Sequence, residues 1–388
     1  MGTFLEPFPR DPLRIRLAHA LGFPNYPNDA AVEPYINYLM NQHDARGTPE
    51  YEELLIKITQ YFQGPQPPGP MKKSIEGLLH SLSTHPNTPW HDEDTVVRAI
   101  GSCTLLLSSF TDLPTVDGKL RMVTASYNLR MHKSLLGGQP YRHSLAEMVA
   151  GSVLLPAPVA FASVVTMADL ESLESLFVDA THLNAYRLTV FGAVEITWTY
   201  NVSRHLLLSN RNGRRILEIF ALPCALDAIP LRMVGVRNEL AQEVLESYSL
   251  LFNAWPSLGP HAKFGLWRRC CPCQPCSARR YSNRAISDYQ AFSRLQRSSE
   301  YDPKLPHLMS ALNQQPIAWT PGIFPHLWSR IMVLDEHLQQ AKPWSIWVLF
   351  RNRNDTLQFW TFLFATIVVF MTAIQVLLGV AQVVGSFR

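Results

Sequence analysis

Thirty-two consecutive residues between Asp355 and Arg388 carry no charge, and this run constrains the chain more than any other feature. From Phe359 to Val384, 15 of the 26 residues are Leu, Ile, Val or Phe. Near the bilayer centre each of these favours insertion by about 0.3–0.6 kcal/mol, several kcal/mol in sum. Gln375 and Gln382 oppose insertion, each by less than the roughly 2.5–3.5 kcal/mol of a central charge. At ~1.5 Å rise per residue the segment is about 39 Å long, against a hydrocarbon core of ~30 Å, so it spans with tilt. A buried core helix is the alternative, but core helices seldom run this long uncharged. We therefore expect one transmembrane helix over 357–385, with the lipid bilayer as partner.

The flanks suggest an orientation. Lys342, Arg351 and Arg353 precede the helix and Arg388 follows it, so the positive-inside bias puts the bulk of the chain in the cytosol. Trp344, Trp347, Phe359 and Trp360 supply rings suited to the headgroup level. With few residues beyond the helix, a single-pass, tail-anchored topology is expected; the organelle is not specified. The N-terminus has no apolar run and does not read as a secretory signal. Glu6 stands where a myristoylation motif requires Ser or Thr.

One face of the span differs from the rest. Ala365, Thr372 and Gly379 recur every seven residues, and Thr372, Gln375, Gly379 and Gln382 step by 3, 4 and 3. This seam of small and polar residues favours contact with another helix, from a second copy or from a partner protein.

Elsewhere, 17% charged residues is low for a soluble protein, and 29 prolines imply many short helices. A net charge of +3 gives no reason to expect nucleic acid. The fold class expected is α+β, mainly helical, with a small antiparallel hairpin or meander and one C-terminal transmembrane helix. Residues 1–140 read as a helical region. Helix starts stand at Thr48-Pro49-Glu50 and near Asp94, with apolar faces at Tyr51, Leu54, Leu55, Ile58 and Phe62, and at Val97, Ile100, Leu105 and Leu106. Residues 141–260 read as α+β. Within them Asn210-Arg211-Asn212-Gly213 predicts a hairpin turn near 204–222, and 236–255 is an amphipathic helix. Met148 to Ala168 is uncharged, but Pro156 and Pro158 in its centre favour a buried, bent segment over a second span. Residues 299–355 read as a Pro/Trp-rich connector.

Residues 261–298 read as a basic, cysteine-rich loop containing Arg268, Arg269, Cys270, Cys271, Cys273, Cys276, Arg279 and Arg280. Three readings compete for it. A basic loop preceded by Trp267 suits an anionic leaflet, with S-acylation of the cysteines and Arg351 and Arg353 adding to the membrane-facing charge. Overlapping C-x2-C pairs suggest zinc, although four thiolates within seven residues are too close for two separate knuckles. The third reading is a solvated loop. His80, His85 and His91 match no metal spacing. No nucleophile elbow, P-loop, H-E-x-x-H or dinucleotide fingerprint occurs, and no cofactor is expected.

The C-terminal part of the chain resembles a group of uncharacterised ascomycete proteins. The resemblance rests on Ser203–Ser209, Ser249–Pro256, His261–Lys263, the cysteine cluster, Tyr301–Lys304, Phe324–Ile331, Pro343–Arg351, Thr356–Trp360 and Ala381–Val384. Where such proteins usually carry a denser charge run before the span, this chain has Arg351-Asn352-Arg353-Asn354-Asp355. The resemblance implies a one-pass membrane protein and no particular activity. The function expected is a membrane-tethered, non-enzymatic interaction or scaffold protein; the alternative is a membrane-bound enzyme of unrecognised class.

Overall fold

The computed structural model describes residues 12–41, 49–64, 73–83, 93–106, 144–151, 154–159, 177–211, 213–253, 274–295, 302–310, 318–341 and 356–386. The first helices are α1 (Pro12–Ala20), α2 (Glu33–Asn41), α3 (Pro49–Gln63), α4 (Ile75–Ser83) and α5 (Glu93–Cys103). In α3 the apolar face predicted from spacing is the buried one, with Tyr51, Leu54, Leu55 and Ile58 each at most 2% exposed. The helix that starts near Asp94 ends at Cys103, before the last two residues of its predicted face, because Leu105 turns to a left-handed φ of 52°. The Leu106 N–H then bonds back to Gly101 O at 2.8 Å, satisfying an orphan carbonyl of the last turn. Leu105 and Leu106 are buried as predicted, but beyond the helix end.

After α6 (Leu145–Gly151) the chain is non-helical through 154–159. Leu154 is buried, while Ala157 and Pro158 are exposed. This proline segment is neither a span nor fully buried, since rings without a backbone donor cannot continue a helix. Residues 160–168 of the same stretch lie outside the described residues.

A mixed sheet follows, built from β2 (Val194–Thr199), β3 (Leu207–Arg211) and β4 (Arg214–Phe220) in the order β2-β4-β3. The β3–β4 hairpin stands where its turn signal put it, and Gly213 adopts φ 78°. The preceding strand, β2, skips its neighbour in sequence and pairs in parallel with β4. β4 is therefore central, and Leu217, Glu218, Ile219 and Phe220 are all buried. A short pair, β1 (Val178–Asp179) with β5 (Ala318–Trp319), ties distant parts of the chain together. Between them lies α7 (Ala185–Val190), and after the sheet come α8 (Ile229–Met233) and α9 (Asn238–Phe252). α9 buries Leu240, Val244, Tyr248 and Leu251, four residues of its predicted stripe.

Two expectations are corrected. The basic, cysteine-rich stretch 261–298 is not all loop, for Gln274–Leu295 forms helix α10. Ala278, Ser282, Ala285 and Tyr289 recur at steps of 4, 3 and 4 on its packed face, and Pro275 lies in the first turn, where its missing N–H costs nothing. Residues 299–355 are not merely a connector either. They contain α11 (Lys304–Ser310), β5 and α12 (Trp328–Gln340), and one core cluster runs from Leu17 to Leu334. Trp319 is 1% exposed and donates its indole N–H to Leu183 O at 3.0 Å. A 31-residue helix, α13 (Thr356–Ser386), closes the described chain.

Candidate functional site

Phe364–Val383, within α13, is the one helix among the described residues long and apolar enough to cross a membrane. None of it is buried against the rest of the protein. Val369, Phe370 and Leu377 are 65–69% exposed. Each large apolar side chain held in water forgoes about 1.5–3 kcal/mol. A soluble core helix would bury such a face, and this helix buries none. All five predicted seam residues, Ala365, Thr372, Gln375, Gly379 and Gln382, lie on it and are exposed. The Thr372 hydroxyl bonds its own helix, at Val368 O, 2.8 Å away.

The cysteine cluster divides. Cys270, Cys271 and Cys273 lie outside the described residues, as do Arg268, Arg269, Arg351 and Arg353. Cys276 is in the first turn of α10 and only 7% exposed. Acylating it would require that turn to lift away, so the acylation reading rests on the other three thiols. No group of three His, Cys, Asp or Glu among the described residues is placed to hold a metal. Arg279 is exposed, and Arg280 donates to Ser277 Oγ at 3.0 Å.

The structure also brings together polar residues that spacing alone had not singled out. They gather around the sheet and the start of α12. Glu243, from α9 and 2% exposed, accepts the backbone N–H of His326 and of Leu327, the latter at 2.8 Å. It thereby caps the N-terminus of α12 from another helix. The same carboxylate meets His326 Nδ1 at 2.5 Å. Arg330, 6% exposed, donates to the carbonyl oxygens of His205 and Ser203. Glu218, 5% exposed in the central strand, is neutralised by Arg204 at 2.7 Å and Arg211 at 3.0 Å.

His205 and Ser247 form a buried pair 2.8 Å apart. It resembles a nucleophile with its base, but the proton is in the wrong place. His205 Nδ1 accepts the Phe220 N–H at 3.2 Å, so the ring proton is on Nε2 and is donated to Ser247 Oγ. The serine proton goes to Val244 O at 2.7 Å. A general base would accept at Nε2 with a carboxylate behind Nδ1. Burial, and then the Arg330 charge, push the His205 pKa down to about 3, so the ring stays neutral.

Asp302, before α11, is fully buried. It takes the Cys224 N–H at 2.6 Å and the Lys304 N–H at 2.8 Å. Burial raises its pKa, against the lowering effect of these bonds. The Cys224 thiol is pushed up by burial first and the nearby carboxyl second, which makes it a poor nucleophile. Tyr289 donates to Ala221 O and Tyr248 to Phe220 O, both at 2.7 Å, closing the end of β4.

No family model matches the chain, and no curated protein or solved structure compared with it is similar to it.

Proposed function

We propose that this chain is a membrane-tethered, non-enzymatic interaction or scaffold protein whose α13 is the anchor. The observation that carries the reading is the apolar, wholly unburied face of Phe364–Val383. Lys342, Arg351 and Arg353, just before the helix, support a cytosolic side for the folded part. The residues that resemble catalytic groups support the interaction reading, because they are spent on the fold. His205 binds a backbone amide, Asp302 holds a helix start, and Cys224 is a neutral buried thiol. The fungal setting rests on the string resemblance alone.

Alkaline carbonate extraction tests the anchor. The full chain stays in the membrane pellet, and a chain lacking 356–388 moves to the supernatant. Recovery of the full chain in the supernatant without detergent removes the reading.

One observation favours the enzyme alternative. The Glu243 carboxylate orients His326 through Nδ1, and His326 Nε2 bonds no described residue. Such a dyad can serve as a general base. Turnover of a hydrolase substrate panel by the full chain, lost in His326→Gln, would favour that alternative.

A further inference from the structure

Among the described side chains of α13, Gln375 and Gln382 are polar groups that the fold leaves without a partner. Neither amide bonds any described group, whereas Thr372 is satisfied by its own helix. At ~1.5 Å per residue, Gln375 lies about 2 Å from the middle of Phe364–Val383, and Gln382 about 13 Å from it. An amide at the midplane of a bilayer has no water to bond and must find its partner in protein.

The arrangement around these amides is regular. Ala365, Val368, Thr372, Gln375, Gly379 and Gln382 step by 3, 4, 3, 4 and 3. At 3.6 residues per turn they fall within about 100° of the helix circumference. The small residues are seven apart, and so are the two glutamines. A Cβ added at Gly379 would meet nothing within 4 Å, so its lack of a side chain serves no contact within this chain. The opposite face presents Phe370 and Leu377, 65% and 69% exposed and again seven apart.

We propose that two copies of this chain pair through this face of α13, parallel and in register, each Gln375 amide bonded to its counterpart and each Gln382 likewise. The inference rests on the anchor reading. Every copy enters the bilayer with the same orientation, so identical helices lie parallel and equivalent residues share a depth. A primary amide both donates and accepts, and is therefore complementary to itself across a two-fold axis. No charge on the face demands an opposite charge from a different partner. The seven-residue repeat keeps the face in contact along a left-handed pair, and Ala365 and Gly379 let the backbones approach.

The test uses full-length chain labelled separately with donor and acceptor dyes and incorporated into phosphatidylcholine vesicles. Energy transfer is followed as lipid dilutes the protein, and flotation shows that each variant is membrane-bound. Transfer for the wild type follows a two-copy equilibrium. Gln375→Leu weakens it about tenfold, Gln375→Leu with Gln382→Leu weakens it further, and Leu377→Ala leaves it unchanged. A floating wild type that stays single, saturates at more than two copies, or pairs as tightly after both glutamines are replaced overturns the pairing alone. A wild type that fails to float overturns the anchor as well.

Discussion

A carboxylate sealed from solvent, as Asp302 is, persists only where the backbone repays its lost hydration. Here it caps α11 and holds Cys224 N–H. Asp302→Ala removes a cap and leaves a buried N–H without a partner, an expected loss of roughly 2–4 kcal/mol by urea unfolding of the detergent-held chain. Glu218→Ala breaks the buried ion pair with Arg204 and should cost about 3–5 kcal/mol, whereas the exposed Glu195–Arg214 pair, at 3.9 Å, is worth under ~1 kcal/mol. His205 makes stability depend on acid. Its folded pKa, about 3, lies below the ordinary value of 6.5. Between those limits the unfolded chain binds the proton and the native chain does not. Stability therefore falls on acidification through that window, by up to ~1.4 kcal/mol per pH unit. Replacing His205 by Asn should flatten the slope in proton-linked unfolding. Asp302 works in the opposite sense. Its raised pKa gives a contribution present at low pH and lost as pH rises through the folded value.

Elements here meet through backbone geometry as much as through side-chain packing. Gly213 turns the hairpin at φ 78° with open space where a Cβ would stand. Gly22 ends α1 at φ 101°, with Ile229 Cγ1 only 2.7 Å from a Cβ placed there. Leu21 O accepts the Ile229 N–H at 2.9 Å, so α1 and α8 are bound at this point. Gly213→Ala carries only left-handed strain, about 1–2 kcal/mol. Gly22→Ala adds a steric clash to the same strain and should lower the thermal midpoint clearly more than Gly213→Ala in parallel melts. At this scale much was legible beforehand. α3 and α9 follow their 3.6-residue stripes, and the hairpin follows its Asn-Gly. α10 was obscured by the cysteines at its start, although Ala278, Ser282, Ala285 and Tyr289 already drew a helical face.

The whole molecule joins a folded part, whose core runs from Leu17 to Leu334, to one helix that the core does not cover. Orientation can be read with a glycosylation acceptor appended after Arg388. If the anchor spans with the preceding mass in the cytosol, that acceptor is modified in a eukaryotic host, and the size shift disappears on deglycosylation. An unmodified acceptor on a membrane-bound chain would reverse the orientation. The chain's own N-x-S/T motifs stand at Asn201 and Asn354, and Asn201 is no reporter, because it is 3% exposed and its side chain accepts from Ser203.

Amino-acid order alone determined the features that depend on local period and on local apolar content: the uncharged C-terminal helix, the amphipathic stripes and the hairpin turn. Periodicity and transfer free energy act over a few turns of chain, so a linear reading captures them. The tertiary structure alone decided that β2 joins β4 in parallel, that Glu243 caps a helix starting 85 residues later, and that Asp302 holds the Cys224 backbone from 78 residues away. Those outcomes depend on which backbone donors and acceptors are stranded once the core closes, and no stretch of sequence carries that information by itself.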